Sequence, residues 1–124
     1  MRILAALSIV APHGENIAAG RKTVEVRSWQ PPTLPIEDLL IVENSRLLTE
    51  DGQVDPDGVA VALVDVVSVA PWLPDEVAAA CSAGWQAGYF SWRLGNVRPF
   101  SQRVRVPAAR KLYEVHLELA SLPR

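Results

Sequence analysis

The hydrophobic and polar positions along the chain fall into short runs that read mostly as strands. Leu4 to Val10 is a mostly apolar run that stops at Pro12, which suits a buried first strand followed by the first turn of a helix. That helix runs through Ile17 and Ala18 and ends at Gly20, a natural residue for the left-handed position after a helix. From Lys22 to Trp29, Val24 and Val26 alternate with Thr23, Glu25 and Arg27, the period of a strand with one apolar and one polar face. Pro31, Pro32 and Pro35 end it.

Leu39 to Val42 reads as a further strand, followed by a loop that closes on the turn residues Asp55-Pro56-Asp57-Gly58. Val59 to Val69, dense in β-branched residues, predicts a buried strand. Pro74-Asp75-Glu76 opens a second helix closed by Gly84. Tyr89 to Leu94, Arg103 to Val106 and Leu112 to Leu119 complete the strands. The lack of βαβ alternation and of a glycine-rich phosphate loop argues against a doubly wound nucleotide-binding sheet. The expected class is α+β and mainly β: a small β-barrel of about five or six mostly antiparallel strands, with one or two short helices outside. Closure would hide the sheet edges.

At 124 residues the chain suits one domain over 1–124, and its 49% hydrophobic and 21% charged composition is ordinary for a globular fold. The single Cys81 excludes an intramolecular disulfide framework and a thiolate-based zinc site, and its alanine-rich setting reads as a small buried hydrophobe within a helix. No apolar stretch approaches the roughly 18 residues of a membrane span. Met1-Arg2 followed by Ile3 to Ala11 loosely imitates a secretory leader, but the run is short and cut by Pro12, so a cytoplasmic protein is expected.

The net charge of −2 hides a segregation: residues 1–36 carry +2, residues 37–76 carry −9 and residues 77–124 carry +5. A mildly acidic chain presents a basic face if its two end blocks meet. The C-terminal block supplies Arg93, Arg98, Arg103, Arg105, Arg110 and Lys111. Arg103 and Arg105 alternate with Val104 and Val106, so they share one strand face. Ten arginines to two lysines favour bidentate phosphate contacts, against the simpler reading of a solvated face.

On the motif strand, Glu25 and Arg27 point the same way, and Lys22 points the other unless the preceding glycine twists it round. One reading puts the trio at the mouth of a cleft between strand ends and the first helix. Arg27 then holds a phosphate or carbonyl and Lys22 adds a compact charge, with its pKa open to lowering for base or nucleophile duty. The other reading has Glu25 and Arg27 as an ion pair that fixes the barrel, with Lys22 solvated. Among Trp29, Trp72, Trp85 and Trp92, Trp92 belongs to the core and Trp29 is the better base-stacking platform. Asp55 and Asp57 lack the glutamate of a calcium loop, His13 and His116 are too few for a metal site, and no serine has an elbow motif.

Gly20-Arg21-Lys22-Thr23-Val24-Glu25-Val26-Arg27 resembles the Gly-x-Lys-x-x-Glu-x-Arg signature of the ASCH domain family. Tyr89-Phe-Ser-Trp92 with Asn96-Val-Arg98-Pro99 looks like its aromatic strand and turn, and Leu112-Tyr113-Glu114-Val115 like its closing strand. The resemblance implies a PUA-like barrel that recognises RNA or a modified nucleoside, with hydrolysis in some branches. Together with the basic strand face and the tryptophan reading above, it makes Arg21, Lys22, Arg27, Trp29, Arg98, Arg103 and Arg105 the candidate nucleic-acid contacts, and Lys22 with Glu25 the candidate catalytic residues if the protein is an enzyme. Ala11-Pro12-His13 stands where the family usually has a Gln-Pro-Trp-like sequence. The acetylcytidine-hydrolase branch has a hydroxyl residue at the place of Glu25 and a helix-region acid for which Glu76 is the candidate. The expected partner is RNA or a nucleoside, with no cofactor, metal or membrane; a third reading is a module whose acidic middle block meets a basic protein.

Overall fold

The computed structural model describes residues 1–123. Its strands are β1 (Arg2–Val10), β2 (Val24–Arg27), β3 (Ile36–Asn44), β4 (Val54–Asp55), β5 (Val59–Pro71), β6 (Phe90–Arg105), β7 (Ala108–Ala109) and β8 (Leu112–Leu117), with α1 spanning His13–Ala18. Six of them form one sheet in the order β2-β6-β5-β3-β1-β8, and β4 and β7 pair as a separate ribbon. Every pairing is antiparallel except β1 with β3. The sheet curls into a half-barrel, as expected of a mainly β PUA-like fold. Closure is incomplete, because β2 and β8 remain its two edges.

Strand alternation splits the apolar residues between the two faces of the sheet. Leu4, Ala6, Leu40, Val42, Leu63 and Phe100 join one core. Leu7, Ile9, Leu39, Ile41, Val64 and Trp92 join the other, which Ile17 of α1 covers. Trp92 is fully buried, as its place in the motif predicts. Gly20, at φ +80, ends the turn after α1.

Three expectations change. The Asn96 to Pro99 stretch reads as a turn between two strands, yet β6 is one strand of 16 residues. Asn96 takes φ +49, a left-handed value asparagine tolerates, and the β5–β6 register shifts nearby rather than breaking. A matching irregularity lies on β3 at Asp38, φ +57.

The second helix shrinks to a 3₁₀ turn at Pro74–Glu76. Its continuation turns backbone carbonyls toward β2: the Ala79 carbonyl accepts from the N–H groups of Thr23 (2.9 Å) and Val24 (3.2 Å). Edge coverage replaces helix propagation there. Cys81 accordingly lies outside any helix, half-buried at φ +52, with its sulfur 3.6 Å from the Arg21 carbonyl.

The third concerns the acidic block, five of whose ten carboxylates, Asp38, Asp51, Asp55, Asp57 and Asp65, meet an arginine within the chain. Arg98 forks between Asp38 and Asp65, Arg105 meets Asp57 (2.8 Å), Arg110 meets Asp51 (2.9 Å) and Arg2 meets Asp38. Among the described residues no helix is long and apolar enough to cross a membrane.

The approach of β5 to the β7 segment requires a glycine. A Cβ at Gly58 would lie 2.5 Å from the Val106 carbonyl oxygen and 3.0 Å from the Ala108 nitrogen, both backbone atoms. Gly58→Ala is expected to cost about 1–3 kcal/mol by overpacking. Gly84→Ala, which meets open space, is expected to stay within about 0.5 kcal/mol of the parent. Urea unfolding of both variants checks the contrast, and equal stabilities would contradict it.

Candidate functional site

The turn after α1 sets the orientation that strand parity alone leaves open. The N–H groups of Arg21 (2.9 Å) and Lys22 (3.0 Å) both donate to the Asn16 carbonyl. That anchor holds Lys22 before β2 begins, so its side chain escapes the strand's alternation and turns inward. Lys22 is 4% exposed and Glu25 5% exposed, which overturns the picture of a solvated lysine.

The Lys22 ammonium lies 3.2 Å from Glu25 Oε1 and donates to the Ala80 carbonyl. Arg27 donates to Glu25 Oε2 through Nε (3.0 Å) and Nη2 (2.7 Å), and Nη2 also donates to the Ser8 carbonyl (2.9 Å). One carboxylate thus bridges two cations. Burial by itself pushes the Glu25 carboxyl pKa up, but the Arg27 and Lys22 charges and their hydrogen bonds outweigh it and the net shift is downward.

This triad lies in the wall of an open cleft of about 950 Å³. Strand ends β1 and β2, the start of α1, the segment after the 3₁₀ turn and the β7–β8 connection all reach it. Lys22, Glu25, Arg27 and Trp29 line it together, as the motif suggests. Trp29 is half-buried and stands edge-on to Trp92, with ring centroids 5.0 Å apart, and its carbonyl accepts from Trp92 Nε1 (3.3 Å).

Arg21, Arg98, Arg103 and Arg105 do not line the cleft. Arg21 is exposed and donates to Asn16 Oδ1 (3.1 Å), and Arg103 pairs with Glu15 (2.7 Å). Glu76 faces a separate hollow beside Asp75 and Arg93, and its carboxylate accepts from the Leu73 N–H (3.0 Å).

Sequence reasoning missed His13, Trp72, Tyr89 and Lys111 as cleft residues. Trp72 and His13 each hold a buried polar atom without a hydrogen-bond partner among the described residues, Nε1 and Nδ1 respectively. Trp72 packs near Tyr89 and Trp85, with centroids 6.5 and 6.4 Å away, and its carbonyl accepts from Trp85 Nε1 (3.0 Å). The tryptophan count flagged Trp72, but only the fold brings it opposite the motif strand.

Removing the bridging carboxylate isolates two cations, one of them buried. Glu25→Gln is expected to destabilise the fold by about 3–5 kcal/mol near neutral pH. A carboxyl whose folded pKa lies below its ordinary 4.5 supports folding fully above that value. The support is lost as pH falls through the folded pKa. Stability of the parent should therefore drop as pH falls below the ordinary value of 4.5, and less steeply in Glu25→Gln. Urea unfolding across that range tests the sign, and parallel curves for the two proteins would contradict it. Glu15 and Asp38, lowered by hydrogen bonds from Arg103 and from Arg98 with Arg2, add to the acid sensitivity of both.

A family model described as ASCH domain matches residues 7–103. Similar solved structures include two ZmASCH mutants from Zymomonas mobilis. The tyrosine-to-phenylalanine mutant is 14% identical over 85% of this chain and 77% of its own, with a TM-score of 0.51. The serine-to-alanine mutant is 14% identical over 82% and 72%, again with a TM-score of 0.51. Likeness at that identity speaks for the fold alone. Among curated proteins none matches. The family model runs from β1 through the motif strand to the far part of β6, and on that match this chain belongs to the ASCH domain family.

Proposed function

We propose that the cleft binds RNA or a modified nucleoside through a nucleoside unit held at the Lys22–Glu25–Arg27 triad. The observation that carries this reading is the arrangement of hydrogen-bond donors. Glu25 fixes Arg27 by Nε and Nη2, while Nη1 has no acceptor among the described residues. Lys22 has three donors and two partners, Glu25 and the Ala80 carbonyl. Both cations line the cleft with the indole of Trp29. Such a wall offers charge-assisted bonds to a carbonyl or phosphate oxygen and an aromatic surface for a base. Family membership points the same way, since ASCH domains resemble RNA-binding PUA-like modules.

A hydrolytic role is a second reading, favoured by the 3.2 Å contact of Lys22 with Glu25, which offers a route for a proton between them. Its signature is turnover of a modified nucleoside or RNA that disappears in a folded Lys22→Ala protein.

Ligand binding to the folded state raises stability by about 2.7 kcal/mol at 100 times the dissociation constant. A thermal-shift screen of modified nucleosides and short RNAs is therefore expected to give hits. Trp29→Ala should weaken a hit by about 1–3 kcal/mol if its base stacks there. Arg27→Gln should weaken it by about 1.5–3 kcal/mol through loss of charge-assisted bonds. Hits that keep their full affinity in both variants would remove the cleft from the account.

A further inference from the structure

The charge pairing across the rest of the surface bears on how much of a nucleic acid the protein can hold. Outside the cleft, Arg2, Arg98, Arg103 and Arg105 each meet a carboxylate, and Arg46 lies 3.7 Å from Asp55. Arg93 shares its hollow with Asp75 and Glu76. A strand of RNA gains affinity by releasing counterions along a run of cations whose charge is not already balanced. The pairings shorten any such run and leave Arg21 and Arg93 as the cations outside the cleft with no ion pair among the described residues.

The cleft differs. Lys22, Arg27, Arg110 and Lys111 line it against the one carboxylate of Glu25. Arg110 is held by Asp51, and Lys22 and Arg27 share Glu25. What remains is the Nη1 end of Arg27 and the exposed Lys111, which makes no ion pair among the described residues. Lys111 stands at φ +59 in the β7–β8 connection, a left-handed conformation uncommon for lysine. The cleft volume, about 950 Å³, lies within the range of small-molecule sites rather than that of an extended groove.

We infer that the cleft takes a single free nucleotide with one phosphate, the phosphate at Lys111, rather than a strand that continues over the surface. This rests on the reading of the cleft as a nucleoside site and narrows it. Trp29 supplies the base surface, and Lys111 the charge that separates a nucleotide from its nucleoside. The paired arginines of β6 take no part.

Calorimetric titration with the four ribonucleoside 5′-monophosphates, their nucleosides and RNA homopolymers of about twelve nucleotides tests it. At least one monophosphate is expected to bind about tenfold tighter than its nucleoside. Lys111→Asn, which keeps a residue tolerant of the left-handed backbone, should erase that difference. The salt dependence of the monophosphate should be shallow, since a monomer carries no condensed counterion layer to release. Arg105→Gln should change nothing. Homopolymers should gain no more than the statistical factor of their roughly twelve sites.

A homopolymer that exceeds this factor, with a slope of about 2 or more and weakened by Arg105→Gln, would overturn the inference and leave the nucleoside site standing. A nucleoside that binds as tightly as its monophosphate would overturn the role of Lys111 alike. If neither monomers nor homopolymers bind, the inference falls, and the thermal-shift screen of modified nucleosides decides whether the proposed function falls with it.

Discussion

Taking an ammonium and a carboxylate out of water costs several kcal/mol per ion, and the cost is offset only where each charge meets its opposite with good hydrogen-bond geometry. Glu25 provides that for two cations at once. Its two oxygens divide between Lys22 and Arg27, and the backbone carbonyls of Ala80 and Ser8 take further donors. Those carbonyls belong to segments far apart in sequence. The triad therefore ties β1, β2 and the segment after the 3₁₀ turn into one wall. The open face of that wall is where Arg27 keeps a free end. Under the proposed function, structural anchoring and ligand recognition are two uses of the same charges.

The segment from Val77 to Ser82 links packing to the site. Its Ala79 carbonyl covers the edge of β2, its Ala80 side chain packs with Val24 and Trp72, and its Ala80 carbonyl receives Lys22. A regular helix would have turned those carbonyls along its own axis. Irregular backbone here is what lets one short stretch protect a sheet edge and hold a buried lysine. The arginine-carboxylate pairs elsewhere are exposed or half-exposed, where such pairs contribute little stability. Their main consequence is electrostatic: they flatten the charge contrast along the chain, and among the described residues Arg21 and Arg93 outside the cleft and Lys111 inside it keep no ion pair.

Much of the fold was legible from alternation. Val24 and Val26 against Glu25 and Arg27, and the β-branched run from Val59, fix strands whose faces the structure repeats. Asn96 and Pro99 misled because asparagine's tolerance of a left-handed backbone serves a bulge as readily as a turn. Pro74-Asp75-Glu76 misled because helix-start chemistry is local, whereas the helix lost to an edge strand that needed acceptors. Within the site, spacing brought out Lys22, Glu25, Arg27 and Trp29. It could not show that Lys22 turns inward, since that depends on the Asn16 carbonyl, nor that Trp72 and Lys111 come to the same cleft from distant segments. The arginines of β6 looked like a phosphate-binding face because their carboxylate partners, Glu15 and Asp57, lie 88 and 48 residues away in the chain.

Under the proposed function, ligand recognition belongs to this cleft and not to the arginine-bearing strand. Proton–nitrogen correlation spectra recorded during titration with a nucleotide or a short RNA test it most directly, because indole and backbone signals report position residue by residue. The account predicts that the indole signals of Trp29 and Trp72, with the amides of Lys22 to Arg27 and of Arg110 and Lys111, move together and saturate at one stoichiometry. Shifts confined to the amides of Arg98 to Arg105, with the two indoles unmoved, would contradict it.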